Sequence, residues 1–399
     1  MARAARVAII GGGIGGLTAA LALHRRGLEV TVYEQSPNLG EIGAGIGLSP
    51  NAIKAFRALG IEQDVITVGS AAEWQIMRGA LSGREISRQP VAANSGKFGA
   101  PHLTVHRVDL LAILARALPK QIVRTGARCV AVWPGTETAT ARFADGGEIE
   151  ADVIVGADGI HSAVRASLFG PEQPRFTGCV CYRGLVPIQD IPRGVDAKNN
   201  LLWMGPHGHI VHYPVRRGEL LNIVAHFDSD AWTEESWTRQ CDQAELLATY
   251  RGWHPSLLAL IRGNPTWYKW ALYDREPLAR WSIGRATLLG DSAHAMLPYL
   301  GQGAAMAIED GCVLAACLAG IPNDPTAALA RYEELRKPRT SAAVLGSRAR
   351  ATENHLASPW SRFKRDLGFA IRNRFASDKT IFRAAWLYDY DVAEEKGAR

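Results

Sequence analysis

One glycine-rich turn near the start of the chain constrains the fold more than any other feature. The apolar run Val7–Ile10 predicts a buried strand, and a helix with apolar residues on its inner side follows over Ile14–Arg26. Between them, Gly11–Gly16 fits the pattern G-x-G-x-x-G, and a second strand follows over Glu29–Tyr33. This order predicts a βαβ unit in a parallel sheet that binds a nucleotide.

The turn and the acid that follows it specify the kind of nucleotide. Gly11 permits a tight turn, Gly13 lets the backbone approach a pyrophosphate, and Gly16 lets the helix pack closely on the strand. The helix N-terminus favours the phosphate charge. Glu34 ends the next strand, 18 residues after Gly16, and is placed to accept ribose hydroxyls. An acid there favours an unphosphorylated ribose, as in FAD or NAD.

Composition excludes several other classes. The chain has 399 residues, 47% hydrophobic and 21% charged, which predicts two or three structural units. A net charge of +6 favours anionic partners, but we find no nucleic-acid-binding motif. The six cysteines lack metal-site spacing, so no metal is predicted. No apolar run reaches 18 residues, which predicts a cytoplasmic protein without a membrane segment.

Two further motifs place carboxylates at the ends of strands. An apolar strand ends in Asp158, with Arg165 on the helix that follows. In the segment Thr287–Asp310 a strand ends at Asp291, and a helix then opens around Gln302 between two glycines. A carboxylate and a helix N-terminus together suit a ligand with hydroxyls at one end and developing negative charge at the other.

In the forms "GEIGAGIGLSPNA", "HRVDLL", "GADGIHSAVR", "GDSAHAMLPYLGQGAAMAIED" and "WLYDYD", the sequence resembles the single-component FAD-dependent aromatic hydroxylases. Within them it is similar to the salicylate hydroxylase, 3-hydroxybenzoate 6-hydroxylase and 6-hydroxynicotinate 3-monooxygenase group. The resemblance covers nearly the whole chain. It implies FAD as cofactor, NADH or NADPH as a transient reductant, and O₂. Through a flavin C4a-hydroperoxide, such an enzyme hydroxylates a small hydroxylated aromatic carboxylate.

The resemblance also implies which residues hold the flavin. Asp291 would bind the ribityl chain, and the helix that begins near Gly303 would direct its N-terminus at the pyrimidine edge of the flavin. No second G-x-G-x-x-G follows a strand, so we expect no dedicated NAD(P)H domain. The complete set of implied cofactor residues is Gly11, Gly13, Ile14, Gly15, Gly16, Glu34, Gly45, Arg107, Cys129, Asp158, Asp291, Gly303 and Ala304.

The substrate residues are expected in a β-rich region with many aromatic residues and histidines. Strand alternation puts His212 and Tyr213 on opposite faces, so one of them points at the substrate. The resemblance favours His212, with Tyr213 second, and places Pro298 and Gln302 beside the flavin. The wider set of candidates on these strands is Trp203, His207, His209, His212 and Tyr213.

These patterns predict an α/β fold in which a Rossmann-type FAD-binding domain is interleaved with a β-sheet substrate domain. The FAD-binding domain takes residues 1–72, 100–174 and 276–330, and the substrate domain takes 73–99 and 175–275. A C-terminal helical segment takes 331–399. A monomer or a homodimer is expected. Two alternative functions stay open: hydroxylation of an N-heteroaromatic compound of the 6-hydroxynicotinate type, and a non-hydroxylating FAD reductase of the same fold.

Overall fold

The computed structural model describes residues 5–40, 44–229, 239–375 and 385–395. Its strands are β1 (Arg6–Ile10), β2 (Glu29–Tyr33), β3 (Gly45–Leu48), β4 (Trp74–Gly79), β5 (Glu85–Pro90), β6 (Leu103–His106), β7 (Val123–Arg124), β8 (Cys129–Pro134), β9 (Ala139–Phe143), β10 (Glu148–Ala151), β11 (Val153–Gly156), β12 (Arg175–Pro187), β13 (Asn200–Gly205), β14 (Gly208–Val215), β15 (Leu220–Asp228), β16 (Gln240–Cys241), β17 (Trp267–Asp274), β18 (Ser282–Ile283) and β19 (Ala286–Leu288).

Its α-helices are α1 (Ile14–Arg25), α2 (Pro50–Ala58), α3 (Glu62–Val68), α4 (Asn94–Phe98), α5 (Arg107–Arg116), α6 (Ala163–Phe169), α7 (Gln243–Thr249), α8 (Pro255–Gly263), α9 (Asp291–His294), α10 (Gly303–Gly320), α11 (Pro325–Asn354), α12 (Pro359–Phe375) and α13 (Ala385–Tyr388).

A six-stranded sheet with the order β18-β19-β11-β1-β2-β7 forms the first unit. Its strands run parallel except β18, which is antiparallel to β19. The central strands β1 and β11 are almost wholly apolar and buried, as expected where helices cover both faces of a parallel sheet. The predicted βαβ unit is present, and α1 packs against α10. The carboxyl ends of β1, β11 and β19 therefore meet at one edge.

A three-stranded antiparallel meander, β8-β9-β10, follows the first helices. Its second turn lies at Asp145-Gly146-Gly147. Gly146 has a φ of +89°, and the Gly147 N–H donates to Asp145 Oδ1 at 2.9 Å. A backbone at positive φ favours glycine, which explains the glycine at this turn.

An eight-stranded sheet with the order β16-β17-β12-β15-β14-β13-β4-β5 forms the second unit. Helices α7 and α8 and the turn between them cover one face of this sheet with buried residues such as Tyr250, Trp253 and Leu257. The other face meets the first unit: the Tyr213 hydroxyl donates to Gly45 O at 2.8 Å, and Asn222 Oδ1 accepts from Gly45 N at 2.8 Å. This second face is therefore turned toward the first unit, and we refer to the region between the two units as the cleft.

The strands divide between the two large sheets in the way the sequence predicted. Every strand of the six-stranded sheet falls in the segments assigned to cofactor binding, and every strand of the eight-stranded sheet falls in 73–99 or 175–275. This membership supports the domain division, which stays a proposal. The predicted boundary at residue 331 lies inside α11, which begins at Pro325.

Among the described residues, α10 is the one helix long and apolar enough to cross a membrane, judged by length and composition. It is 78% buried in the fold, where it packs against α1 and α11. We therefore describe α10 as a core helix of the first unit.

Candidate active site

The predicted phosphate turn has the geometry that its glycines imply. Gly11 has a φ of +109°, and a Cβ there would lie 2.3 Å from Ala157 O. A Cβ on Gly16 would lie 2.0 Å from Gly11 O, and one on Gly15 would lie 2.7 Å from the Leu289 side chain. A Cβ on Gly13 would meet no atom within 4 Å. Gly13 thus faces open space, whereas its neighbours are glycines because the protein packs against them.

This turn fits the pyrophosphate of FAD. Helix α1 begins with Ile14, next to Gly13, and within the described residues no side chain caps its first N–H groups. Gly13, Ile14 and Gly15 are all partly exposed. Glu34 follows β2, and its carboxylate accepts from Gly12 N at 2.6 Å and from Ser36 N at 2.8 Å. Donors for phosphate and an acceptor for ribose therefore lie at the same sheet edge.

We expect Gly13→Ala to weaken FAD binding by about 10–150-fold, since the added methyl keeps phosphate away from charge-assisted N–H bonds. Gly13 has a φ of −73°, which alanine adopts without strain, so the melting temperature of the apoprotein should not change. Flavin fluorescence titration and calorimetry check this. In the companion variant Gly16→Ala, the Cβ meets Gly11 O, so the apoprotein itself should be destabilised. Equal FAD affinity in wild type and Gly13→Ala would contradict a phosphate site here.

Asp158 joins the second motif to the third. Its carboxylate accepts from Ser162 Oγ at 2.5 Å, from Ser292 Oγ at 3.1 Å and from Val164 N at 3.2 Å. Burial raises the pKa of Asp158, and these hydrogen bonds oppose the rise. Buried Arg165 donates to the carbonyl of Ser292 at 3.2 Å. In this structure Asp158 and Arg165 thus hold two motif loops together, and their contact with the cofactor stays a prediction.

Cys129 and Arg107 approach the same cleft from other elements. Cys129 begins β8, and burial, followed by the nearby charge of Asp158, raises the pKa of its thiol to about 11. Arg107 begins α5, and its N–H donates to Ala44 O at 2.9 Å, which places it beside Gly45 at the start of β3. Gly43 lies outside the described residues. The fold therefore brings Cys129 close to Asp158, and Arg107 close to Gly45.

Asp291 lies at the start of α9, after Gly290, whose φ is +63°. Its side chain is exposed, yet burial raises its pKa, against the opposing charges of His294 and Arg107. The two observations are consistent for a side chain on the wall of a deep cleft, because protein surrounds a group that solvent still reaches. An acceptor in this place suits the hydroxyls of a ribityl chain.

Helix α10 begins close by, at Gly303, with no side chain capping its N-terminus in the described part of the chain. Gly303 and Ala304 are partly exposed, and Pro298 in the preceding 3₁₀ turn is exposed. Uncapped N–H groups at a helix start favour negative charge, as the reduced flavin carries. The predicted site for the flavin pyrimidine edge is therefore available.

The resemblance placed Gln302 beside the flavin, but its side chain does not face the cleft. It is 1% exposed, its Nε2 donates to Ser49 Oγ at 2.9 Å, and its Oε1 accepts from Asn51 Nδ2 at 3.2 Å. Both ends of the amide are therefore bound by α2 and the residue before it. Gln302 fixes the start of α10.

A buried charge network lies behind the start of α10. Arg336 Nε donates to Asp310 Oδ1 at 2.7 Å, and Arg336 pairs with Glu309 at 2.7 Å. Arg339 makes two hydrogen bonds to Glu309 and binds the carbonyls of Trp386 and Leu387. The network thus joins α10, α11 and the C-terminal motif "WLYDYD". Sequence analysis found the motif but not these partners.

The predicted alternation of side chains along β14 is correct, but His212, the residue that the resemblance favoured, points away from the cleft. His212 is 0% exposed and accepts from Trp203 Nε1 at 3.0 Å, within the layer between the sheet and α7–α8. Tyr213 faces the cleft, as its bond to Gly45 O shows. The preference for His212 over Tyr213 was therefore wrong. Which face of the sheet meets the cleft depends on what packs against each face, and the residue pattern along a strand does not contain that information.

The cleft face of the sheet carries two other polar groups besides Tyr213. His209 lies on the same face as Tyr213, since the two are four residues apart on one strand. Arg183 of β12 stands over the Trp270 ring at 4.5 Å. Val211 and Tyr213 are partly exposed although β14 lies inside the sheet. An imidazole, a phenol and a guanidinium thus share one wall.

His212 itself should influence stability in acid. Burial lowers its pKa to about 4, below the unfolded value of about 6.5. Its stabilising contribution is therefore complete above pH 6.5 and is lost as pH falls toward 4. We expect His212→Gln to lose less unfolding free energy between pH 7 and pH 5 than wild type, by about 1–2 kcal/mol. Urea unfolding at both pH values measures this. Exposed His24→Gln is the control, and identical losses in all three proteins would contradict the prediction.

A Rossmann-type unit, a second large sheet that closes one cleft and two uncapped helix starts at that cleft together define an FAD-dependent oxidoreductase. The chain belongs to the FAD binding domain family, whose model matches residues 4–347. A 3-amino-4-hydroxybenzoate 2-monooxygenase of Streptomyces platensis is 40% identical over 389 residues, 97% of this chain and 96% of that protein. A 3-hydroxybenzoate 6-hydroxylase of Klebsiella oxytoca is 37% identical over 90% of both proteins.

Solved structures agree with this assignment. The crystal structure of Klebsiella pneumoniae HpxO complexed with FAD and uric acid aligns with a TM-score of 0.86 and 28% identity over 96% of both chains. The predicted membership among the aromatic hydroxylases is confirmed. The chain is an FAD-dependent aromatic monooxygenase, an enzyme that uses an aromatic compound, O₂ and a reductant.

Proposed function

We propose that this enzyme hydroxylates a small aromatic carboxylate that carries a phenolic hydroxyl, with NADH or NADPH as electron donor. One observation carries the proposal: His209, Tyr213 and Arg183 lie on one wall of the cleft that the cofactor motifs also border. A guanidinium matches a carboxylate, and an imidazole accepts a phenolic proton. The relatives act, by their names, on amino-hydroxybenzoate and hydroxybenzoate.

The flavin, when bound, supplies the two-electron chemistry that activates O₂. The chain supplies position, charge and a dry cleft. Arg183 holds the carboxylate, which orients the ring over the edge formed by Pro298 and the start of α10. His209 accepts the phenolic proton, which leaves negative charge on the phenol oxygen and makes the ring more electron-rich. Trp270, 4% exposed, and Val211 line the wall with apolar surface and limit access of water.

The position of Arg183 on the cleft face is also the reason to propose a benzoate as substrate rather than an uncharged phenol, because its guanidinium can hold the substrate carboxylate. Arg183 makes its ring contact on the cleft side, whereas Arg78 stands over Trp203 at 5.5 Å on the side of α7 and α8. The two arginine–tryptophan pairs thus lie on opposite faces of one sheet. They provide a target and a matched control.

We expect Arg183→Met to raise the KM for the aromatic acid by about 10–150-fold, the range for a lost charge-assisted hydrogen bond. FAD affinity should not change, because Arg183 belongs to the other sheet. Arg78→Met removes the same charge from the other face and should leave KM unchanged. Steady-state kinetics with a hydroxybenzoate check both variants. An equal rise of KM in the two variants would show that the effect is structural.

The decisive experiment for the function is product formation by the purified holoenzyme. Salicylate, 3-hydroxybenzoate, 3-amino-4-hydroxybenzoate and 6-hydroxynicotinate are offered with NADH or NADPH, and product is compared with donor consumed. We expect at least one phenolic benzoate to accelerate donor oxidation and to be hydroxylated. Donor oxidation without any hydroxylated product would favour an FAD reductase instead. A cytoplasmic monomer or homodimer without nucleic-acid or membrane partners is part of the same proposal.

A further inference from the structure

Three imidazoles surround one tyrosine at the inner end of the cleft wall. His209 and His226 stack with ring centroids 4.5 Å apart, and His355, which follows α11, packs on His209 at 4.9 Å. The Tyr299 ring meets all three edge-on, at 5.0–5.6 Å. Tyr299 belongs to the 3₁₀ turn that Pro298 opens. The cluster therefore lies between the cleft wall and the start of α10.

Hydrogen bonds connect this cluster to the surface in one line. His209 Nδ1 lies 2.7 Å from His355 Nε2, and His355 Nδ1 lies 2.5 Å from Asp228 Oδ1. His209 is 2% exposed, whereas the Asp228 side chain is 41% exposed. The line thus begins in the protein interior and ends at solvent. His355 is 146 residues from His209 in the sequence, so no local pattern reports the contact.

The carboxylate at the outer end fixes the tautomer of both rings. Asp228 accepts from the Nδ1–H of His355, so the Nε2 of neutral His355 carries a lone pair. That lone pair accepts from the Nδ1–H of His209. The Nε2 of His209 is then unprotonated and able to accept a proton. Burial, followed by the charges of His226 and His355, holds the pKa of His209 well below its usual value.

Resting on the proposed function, we propose that His209, His355 and Asp228 form a relay that carries the phenolic proton of the substrate from the cleft to solvent. The substrate O–H bond breaks, its proton passes to His209 Nε2, and the electron pair stays on the phenolate oxygen. The Nδ1 proton of His209 passes to His355 Nε2, and the Nδ1 proton of His355 passes to Asp228 and on to water. No electron is transferred and no co-reactant is needed.

The relay explains why a histidine with a lowered pKa can still serve as the acceptor. A buried imidazolium is unfavourable, so a proton held on His209 alone would return to the substrate. Transfer along the hydrogen bonds avoids a buried imidazolium, because each ring gives up one proton as it gains another and the proton lost by His355 neutralises the partly exposed Asp228 carboxylate. The other titratable or charged groups that face the line are Cys179, Arg183, His207, His226, Tyr299 and Arg350.

A metal site is the competing interpretation of the same cluster. Ligand atoms of Cys179, Asp228 and His355 lie within 4.8 Å of one another. However, the Cys179 sulfur accepts from the Tyr299 hydroxyl at 3.2 Å, and burial raises the pKa of the thiol to about 12. A metal binds the thiolate, and Asp228 is already bound to His355. The geometry favours the relay.

The test uses the FAD-loaded enzyme and 4-hydroxy-3-nitrobenzoate, a phenolic benzoate whose ionisation is visible by absorbance. Stopped-flow mixing without NAD(P)H, below the pKa of the phenol, follows ionisation of the bound probe without turnover. In His355→Gln the new side chain still forms hydrogen bonds but does not relay a proton. We expect ionisation at least about tenfold slower than in wild type, with unchanged probe affinity and FAD content. Asp228→Asn should slow it as well.

Glu353→Gln is the matched control, because Glu353 is two residues before His355 and pairs with Arg350. It should ionise the probe as fast as wild type. Turnover adds a second readout: in His355→Gln, kcat should fall at low pH with KM unchanged and recover as rising pH ionises the substrate in solution. Equal ionisation rates in wild type and His355→Gln would overturn the relay while the proposed function stands. Stoichiometric metal in the wild type that His355→Gln lacks would overturn it in favour of a metal site. A wild type that does not bind the probe would overturn the proposed function and, with it, the relay.

Discussion

Replacing His209 with alanine is expected to lower hydroxylation by about 10²–10⁴-fold, the range for loss of a positioned proton acceptor. FAD should remain bound, because its binding residues belong to the other sheet. Aromatic acid should still accelerate NAD(P)H oxidation, because reduction of the flavin does not require an ionised phenol. The consumed NAD(P)H should then appear as H₂O₂ instead of product. The measurement is the ratio of hydroxylated product to NAD(P)H oxidised.

His212→Gln is the internal control for this result, since the two histidines lie on one strand and face opposite sides of the sheet. Glutamine retains an acceptor for Trp203 Nε1, so the strand should keep its packing. Its product ratio should equal that of the wild type. If the ratio of product to NAD(P)H oxidised fell in His212→Gln and stayed at the wild-type value in His209→Ala, the assignment of the two faces would be wrong.

The second large effect concerns folding. Arg336, Glu309 and Asp310 are each 0% exposed, and Arg336 lies between the two carboxylates at 2.7 Å from both. Burial raises the pKa of Asp310, but the charges of His294 and Arg336 outweigh it and the pKa lies below its usual value. We expect Arg336→Met to destabilise the protein by about 3–5 kcal/mol, because it removes the buried cation between two buried carboxylates. Glu309 then keeps Arg339 as its ion-pair partner, and Asp310 keeps His294. Urea unfolding of the FAD-free protein measures this directly.

Arg331→Met on the same helix is the comparison. Arg331 pairs with Glu334, whose side chain is 70% exposed, and such a surface pair contributes about 0–1 kcal/mol. A loss of stability no larger in Arg336→Met than in Arg331→Met would contradict the importance of the buried network. FAD affinity should also fall in Arg336→Met, since the network supports the start of α10.

The cofactor half of the site was predictable because its signals are local. A glycine required by a positive φ, as at Gly11, or by close packing, as at Gly16, stands next to its own strand and helix. The acids that follow β2 and begin α9 come after apolar runs, and parallel strands bring such ends to one edge. These features specified an FAD-binding α/β fold without knowledge of distant contacts.

The substrate half depended on contacts between distant segments. Alternation placed His212 and Tyr213 on opposite faces, but only the packing of α7 and α8 on one side decided which face meets the first unit. Arg183 had a signal, as a charged residue within the strand "CVCYRGLV", yet its partner surface was unknown.

The sequence by itself determined the fold class and, through the family resemblance that its motifs carry, the cofactor, because turns and strand ends encode those motifs within a few residues. The tertiary structure alone decided that His209 rather than His212 faces the cleft, that Gln302 is bound within the protein, and that His355 meets His209. The physical reason is that burial and hydrogen-bond partners are properties of packed surfaces, which join residues far apart in the chain.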